Sequence, residues 1–121
     1  MRKRVDSLLC AVSGVVCTLR TEPNLRIHAA AAVAVAAAAA ALGVGATQWA
    51  LLTLCVGGVV SLECLNSALE RLADRVTTER DPLIGRAKDA AAGGVLIAAV
   101  ASAVVGLLVF VPATLDWWAA R

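Results

Sequence analysis

Residues 90–111 read AAAGGVLIAAVASAVVGLLVFV, and no formal charge interrupts them. An uncharged apolar run of this length predicts a helix that crosses a bilayer, because about 20 residues at 1.5 Å each span the hydrocarbon core. Pro112 follows and predicts its end. Residues 49–69, WALLTLCVGGVVSLECLNSAL, are also long enough to cross. Residues 29–46, AAAAVAVAAAAAALGVGA, are rich in alanine, a strong helix former that is only weakly apolar. An alanine-rich helix of a soluble core would look similar. Three such runs in 121 residues leave almost no chain for a soluble core, so the membrane reading holds for all three together.

The expected crossings are about 28–46, 49–70 and 90–112, within one domain, 1–121. Gly43, Gly45 and Thr47-Gln48 read as the turn between the first two. The composition agrees: 60% of residues are hydrophobic and mean hydropathy is +0.82, too apolar for an ordinary soluble domain. A net charge of +2, one Phe, three Trp and no Tyr offer neither a global positive field nor stacking platforms, so no nucleic-acid partner is expected. Cys10, Cys17, Cys55 and Cys64 form no C-x-x-C pair and read as small apolar side chains. No secretory signal peptide is expected, since Asp6, Ser7 and Ser13 interrupt the stretch after the basic head.

Loop charges set the orientation. Arg2, Lys3, Arg4, Arg20 and Arg26 precede the first crossing, and Arg71, Arg75, Arg80, Arg86 and Lys88 lie around the second connection. The first turn has no charge, and only Arg121 follows the last crossing. The N-terminus and residues 71–88 are therefore expected in the cytoplasm and the C-terminus outside, in a multi-pass plasma (inner) membrane protein. Trp49, Trp117 and Trp118 would mark the outer interface. Residues 4–20 are too short and polar to cross. Val5, Leu8, Leu9, Val12, Val15, Val16 and Leu19 recur at helical spacing, which predicts an amphipathic helix in the cytoplasmic interface or against the bundle.

The second crossing ends in SLECLNSALERLAD, residues 61–74. At about 100° per residue Glu63, Asn66, Glu70 and Asp74 share one helix face. Glu63 falls inside the apolar run and Glu70 and Asp74 near its cytoplasmic end. A carboxylate in an apolar span costs free energy unless it has a partner or a task. Partial desolvation makes Glu63 a good base for the hydroxyl of a lipid. Glu70 and Asp74 repel each other at i, i+4, a penalty that a divalent cation reverses. The alternative is that the acids pair with Arg71, Arg75 and Lys88 and hold the helices together.

Two further clusters flank the crossings. In RTEPNLRIH, residues 20–28, Glu22 is a second candidate metal ligand, and Arg26 and His28 are placed to meet a head group, or Arg26 only anchors the helix. In GRAKDAAAGG, residues 85–94, Lys88 is placed to meet phosphate and Asp89 to cap or orient the next helix. No G-x-x-x-x-G-K-[ST] phosphate loop is present.

These clusters resemble the prokaryotic diacylglycerol kinase family of small membrane lipid kinases. The resemblance covers roughly residues 14–112 and rests on E-x-L-N-x-A-x-E-x-x-x-D at Glu63–Asp74, A-K-D-x-A-A-G at 87–93, and T-E-x-N and R-I-H at 21–28. The detail is similar to the branch that phosphorylates undecaprenol. The resemblance implies an all-α homotrimer with an amphipathic N-terminal interfacial helix and three transmembrane helices. It implies cytoplasmic-side active sites shared between subunits. It also implies Glu63 as general base, Mg2+ held by Glu22 and Glu70, and ATP contacts from Lys88, Asp89, Glu79, Arg80 and Lys3, with Asn66 and Asp74 in support. Two departures stand out. Asp81 occupies a position that often carries His, and Pro23 follows Glu22 and is expected to begin a helix just after it.

The expected function is ATP- and Mg2+-dependent phosphorylation of a membrane alcohol, undecaprenol ahead of diacylglycerol. The rival is a non-enzymatic membrane subunit whose acids line a cation path.

Overall fold

The computed structural model describes residues 2–77 and 79–121, with side chains from residue 5 onward. Four helices follow in order: α1 Arg2–Thr21, α2 Pro23–Leu42, α3 Ala46–Val76 and α4 Pro82–Ala119. Among the described residues there is no strand. The last three are each long and apolar enough to cross a membrane.

Each boundary has a local cause. Pro23 occupies the first turn of α2, where a missing N–H costs nothing, and Glu22 is its extended N-cap residue with φ −102° and ψ 114°. Gly43 ends α2 in the left-handed region at φ 65°. Its N–H bonds to Ala40 O at 3.3 Å and the Val44 N–H to Ala39 O at 3.2 Å, a Schellman closure. Val44 then packs against the small core that contains Ala39. The turn is shorter than expected. Gly45 already caps α3, Trp49 N–H reaches Gly45 O, and Thr47 and Gln48 belong to the first helical turn.

The helices also outrun the apolar segments. α3 continues past residue 70 to Val76, and α4 starts at Pro82, eight residues before the apolar run. Hydropathy marks where lipid ends, whereas Arg, Glu, Lys and Ala extend a helix readily into water. Pro112 does not end α4, which runs on to Ala119. Proline removes one backbone bond, and the Thr114 hydroxyl ties the next turn by donating to the carbonyls of Phe110 and Val111.

α3 packs mainly along α4 and less extensively along α2, while α1 lies against α2 and α3. At one end Ala39, Leu52 and Val109 form a small core from three helices, joined by Val35, Val44, Val105 and Phe110. The turn at 43–45 and the end of α4 lie together there, since Leu42–Gly45, Val109, Pro112 and Trp117 wall one cavity. Trp117 and Trp118 stack edge to face at 6.0 Å, and Arg121 covers Trp117 at 3.8 Å. Most large apolar side chains point outward instead: Val33, Leu54, Ile97 and Leu108 are each more than 70% exposed. That surface suits lipid, not water. In α1 the seven apolar residues from Val5 to Leu19 are all exposed, and Thr18 is the residue buried against the bundle.

At Gly43 an added Cβ would meet no heavy atom within 4 Å, so the cost of substitution in this left-handed position is conformational alone. Gly43→Ala is expected to lower stability by about 1 kcal/mol. Gly45→Ala, whose Cβ would meet only the flexible end of Gln48, should stay close to wild type. Thermal unfolding of both variants in detergent checks the contrast; equal melting temperatures would contradict it.

Candidate active site

The end of the bundle opposite the tryptophans collects the polar residues. Burial falls steadily along the polar face of α3. Glu63 and Asn66 are buried, Glu70 is half-buried and Asp74 is exposed. Helical periodicity puts these residues on one face, and the descent of α3 out of the bundle grades them by depth. Burial within the bundle thus falls from Glu63 and Asn66 through Glu70 to Asp74.

Glu63 is held by α2. His28 Nε2 lies 3.1 Å from Glu63 Oε1, and the two side chains are 28% and 5% exposed. Leu25, one turn earlier on α2, is almost completely buried and seats this end of the helix. Asn66 Nδ2 donates to Glu70 Oε1 at 3.2 Å. Asn66 Oδ1 is buried with no hydrogen-bond partner among the described residues. A buried acceptor of this kind is costly unless a donor from a ligand or water meets it.

Two ion pairs tie the helix ends together. Arg71 Nη2 on α3 donates to Glu22 Oε1 at 3.1 Å and to the Thr21 hydroxyl, gripping the α1–α2 junction. Lys88 Nζ on α4 meets Asp74 Oδ1 at 2.9 Å. Asp74, Thr77, Glu79, Arg80, Gly85 and Lys88 line an open cavity of about 680 Å³ between the end of α3 and the start of α4. Asp81 lines it too, so three carboxylates stand beside two cations, and Arg80 and Lys88 are the side chains able to meet a phosphate chain. A second cleft of about 550 Å³ is almost wholly apolar, lined by His28 together with Val35, Val59, Leu107 and Phe110.

Several expected roles need adjustment. Asp89 does not cap α4, because the helix begins at Pro82 and leaves Asp89 in its third turn, exposed. The cap is Asp81, whose Oδ1 accepts from the N–H groups of Leu83 at 2.8 Å and Ile84 at 3.3 Å. Asp-Pro ahead of a helix is itself a start signal, masked here because the apolar run begins later. Arg71 pairs with Glu22, not with an acid of its own helix. Of the suspected acid–base pairs, Asp74–Lys88 forms and Glu70 binds Asn66 instead. Arg26 and Asp89 make no side-chain hydrogen bond or ion pair among the described residues. The Lys3 side chain lies outside the described residues. The contact of His28 with Glu63 is not among the sequence expectations, although a signal for it exists. His28 is the one basic side chain between Ile27 and Leu62, and a buried acid needs a partner at its own depth.

A magnesium ion fits the donor chemistry here. Among the described residues no three His, Cys, Asp or Glu side chains converge. Mg2+ needs only one or two carboxylates when phosphate and water supply the rest. Glu22 and Glu70 each make their side-chain contacts through Oε1, leaving Oε2 available.

A buried acid whose imidazole partner lines an apolar cleft, with an open cavity of mixed charge at the helix ends, suits a membrane-bound phosphotransferase that works on a lipid. Residues 9–110 match the prokaryotic diacylglycerol kinase family, and the chain belongs to that family. It is 43% identical over 106 residues to an undecaprenol kinase of Bacillus subtilis, covering 88% of this chain and 86% of that one. A diacylglycerol kinase of Synechocystis sp. is 42% identical over 107 residues, covering 88% of this chain and 61% of the relative. A diacylglycerol kinase of Escherichia coli K12 is 41% identical over 61 residues, half of each chain. The chain is accordingly a lipid kinase with ATP as co-substrate, and the reading as a non-enzymatic cation path falls.

Asp81→Ala is expected to cost about 1 kcal/mol at the start of α4. Hydrogen exchange should speed at the Leu83 and Ile84 amides and remain unchanged at the Trp49 amide. Unchanged protection at 83 and 84 would contradict the cap.

Proposed function

We propose that this protein transfers the γ-phosphate of ATP to undecaprenol, giving undecaprenyl phosphate, in a magnesium-dependent reaction. The observation that carries the choice of alcohol is the match to the B. subtilis undecaprenol kinase across 86% of that protein. Diacylglycerol is the second reading. It is supported by 48% identity over 54 residues to a diacylglycerol kinase of Haemophilus influenzae, within 46% of that chain.

Each step has a place in the chain. The lipid lies along the apolar cleft, and its hydroxyl comes to Glu63. Glu63 accepts the hydroxyl proton as the oxygen attacks the γ-phosphorus in line, and ADP leaves. Lys88 and Arg80, on the polar cavity, offset charge on the phosphates, with Glu79 beside them. Asp89 and Lys3 would add further contacts to ATP. Glu22 and Glu70 would hold Mg2+, which supplies charge neutralisation and alignment of the phosphate chain. Asp74 orients Lys88, and the free Oδ1 of Asn66 receives a donor from the bound substrates. Arg26 faces the head-group region.

The same proposal sets the protein in the plasma (inner) membrane with α1, the polar end and the active site cytoplasmic and the C-terminus outside. The charge asymmetry between the two ends supports that orientation. The exposed apolar stripe of α1 supports a helix lying in the interface. The outward apolar faces of α2, α3 and α4 leave room for a homotrimer with sites shared between subunits.

The test uses purified protein in mixed micelles with radiolabelled ATP, Mg2+ and either lipid. Wild type should show the higher kcat/KM with undecaprenol; equal values would defeat that choice. Glu63→Gln should lower kcat by about 10²–10⁴-fold on either lipid, with little change in the KM for ATP. Undiminished transfer would remove Glu63 as the base.

A further inference from the structure

We propose that His28 is the positioning residue for the Glu63 carboxylate, fixing one oxygen so that the other faces the lipid hydroxyl. This rests on the reading of Glu63 as the base and adds a residue on a different helix to its task.

The Glu63 side chain is 5% exposed, and its partner is His28 Nε2, 3.1 Å from Oε1. A carboxylate only accepts, so an N–H on Nε2, at ion-pair distance from Oε1, is the group that can hold it in place. Arg71 is engaged with Glu22 and Lys88 with Asp74. His28 also lines the apolar cleft together with Val59 and Val60, which lie one turn before Glu63 on α3. The ring therefore stands where the cleft meets the acid. Oε2 has no partner among the described residues and is the oxygen left for the substrate.

Holding a reacting group to within a fraction of an ångström governs the rate of the chemical step and not the affinity for a distant nucleotide. His28→Leu removes the donor and keeps an apolar side chain in the cleft. His28→Gln keeps an N–H at nearly the place of Nε2. Both are measured as purified enzyme in mixed micelles with ATP, Mg2+ and undecaprenol, alone and combined with Glu63→Gln. His28→Leu is expected to lower kcat on the order of 10–100-fold with the KM for ATP held within about twofold. His28→Gln should recover most of the loss, and His28→Leu should cost nothing further once Glu63 is Gln. Should His28→Leu fail to fold, His28→Asn replaces it, since its shorter amide falls short of Glu63, and the same loss is expected.

Wild-type kcat in His28→Leu, no rescue by Gln, or an equal loss in the Glu63→Gln background would each overturn the proposal. Full activity of Glu63→Gln alone would instead overturn the assignment of the base, and the role of His28 with it. An inactive Glu63→Gln beside an active His28→Leu would remove His28 alone.

Discussion

A carboxylate inside an apolar helical bundle must be matched at its own depth, and the contact between Glu63 and His28 meets that requirement. It fixes how α2 sits against α3, because the acid and the imidazole must lie level for the contact to form. Leu25, one turn earlier, is buried by the same fit. Without the match, a buried unpaired carboxylate would cost on the order of several kcal/mol. The polar end of the molecule is built outward from this point.

Going down α3 from Glu63, the polar face becomes steadily more exposed. Asn66 and Glu70 bond along the helix, Arg71 reaches across to Glu22, and Asp74 meets Lys88 at the open cavity. One helix face thus carries a buried acid at its deep end and exposed charged groups at its shallow end. Phosphoryl transfer between a membrane alcohol and a soluble nucleotide needs that geometry, since the two substrates approach from different media. The two ion pairs are half-exposed and contribute little stability; their effect is to keep three helix ends in register.

The long apolar runs and the spacing of Glu63, Asn66, Glu70 and Asp74 are legible in the sequence, because both depend on local periodicity alone. The depth order follows from where the apolar residues stop. The pairing of Arg71 with Glu22 is not legible, as it joins residues 49 apart in the chain and depends on how α1 and α2 meet. The true ends of α3 and α4 are also hidden, since hydropathy reports the lipid boundary and not the end of a helix. Asp81 illustrates this: a departure from the family pattern at a loop position is, in the fold, the cap that starts α4. Pro112 is the converse case, a stop signal that a continuous apolar helix absorbs.

If the proposed site is right, nucleotide is met at the end of the bundle where α3 gives way to α4. Photoaffinity labelling of the purified protein with an azido-ATP analogue, followed by peptide mapping, tests this most directly. Label is expected within residues 74–88, reduced by excess ATP. ATP-protected label on the turn at 43–48 or on residues 113–121, at the opposite end, would contradict it.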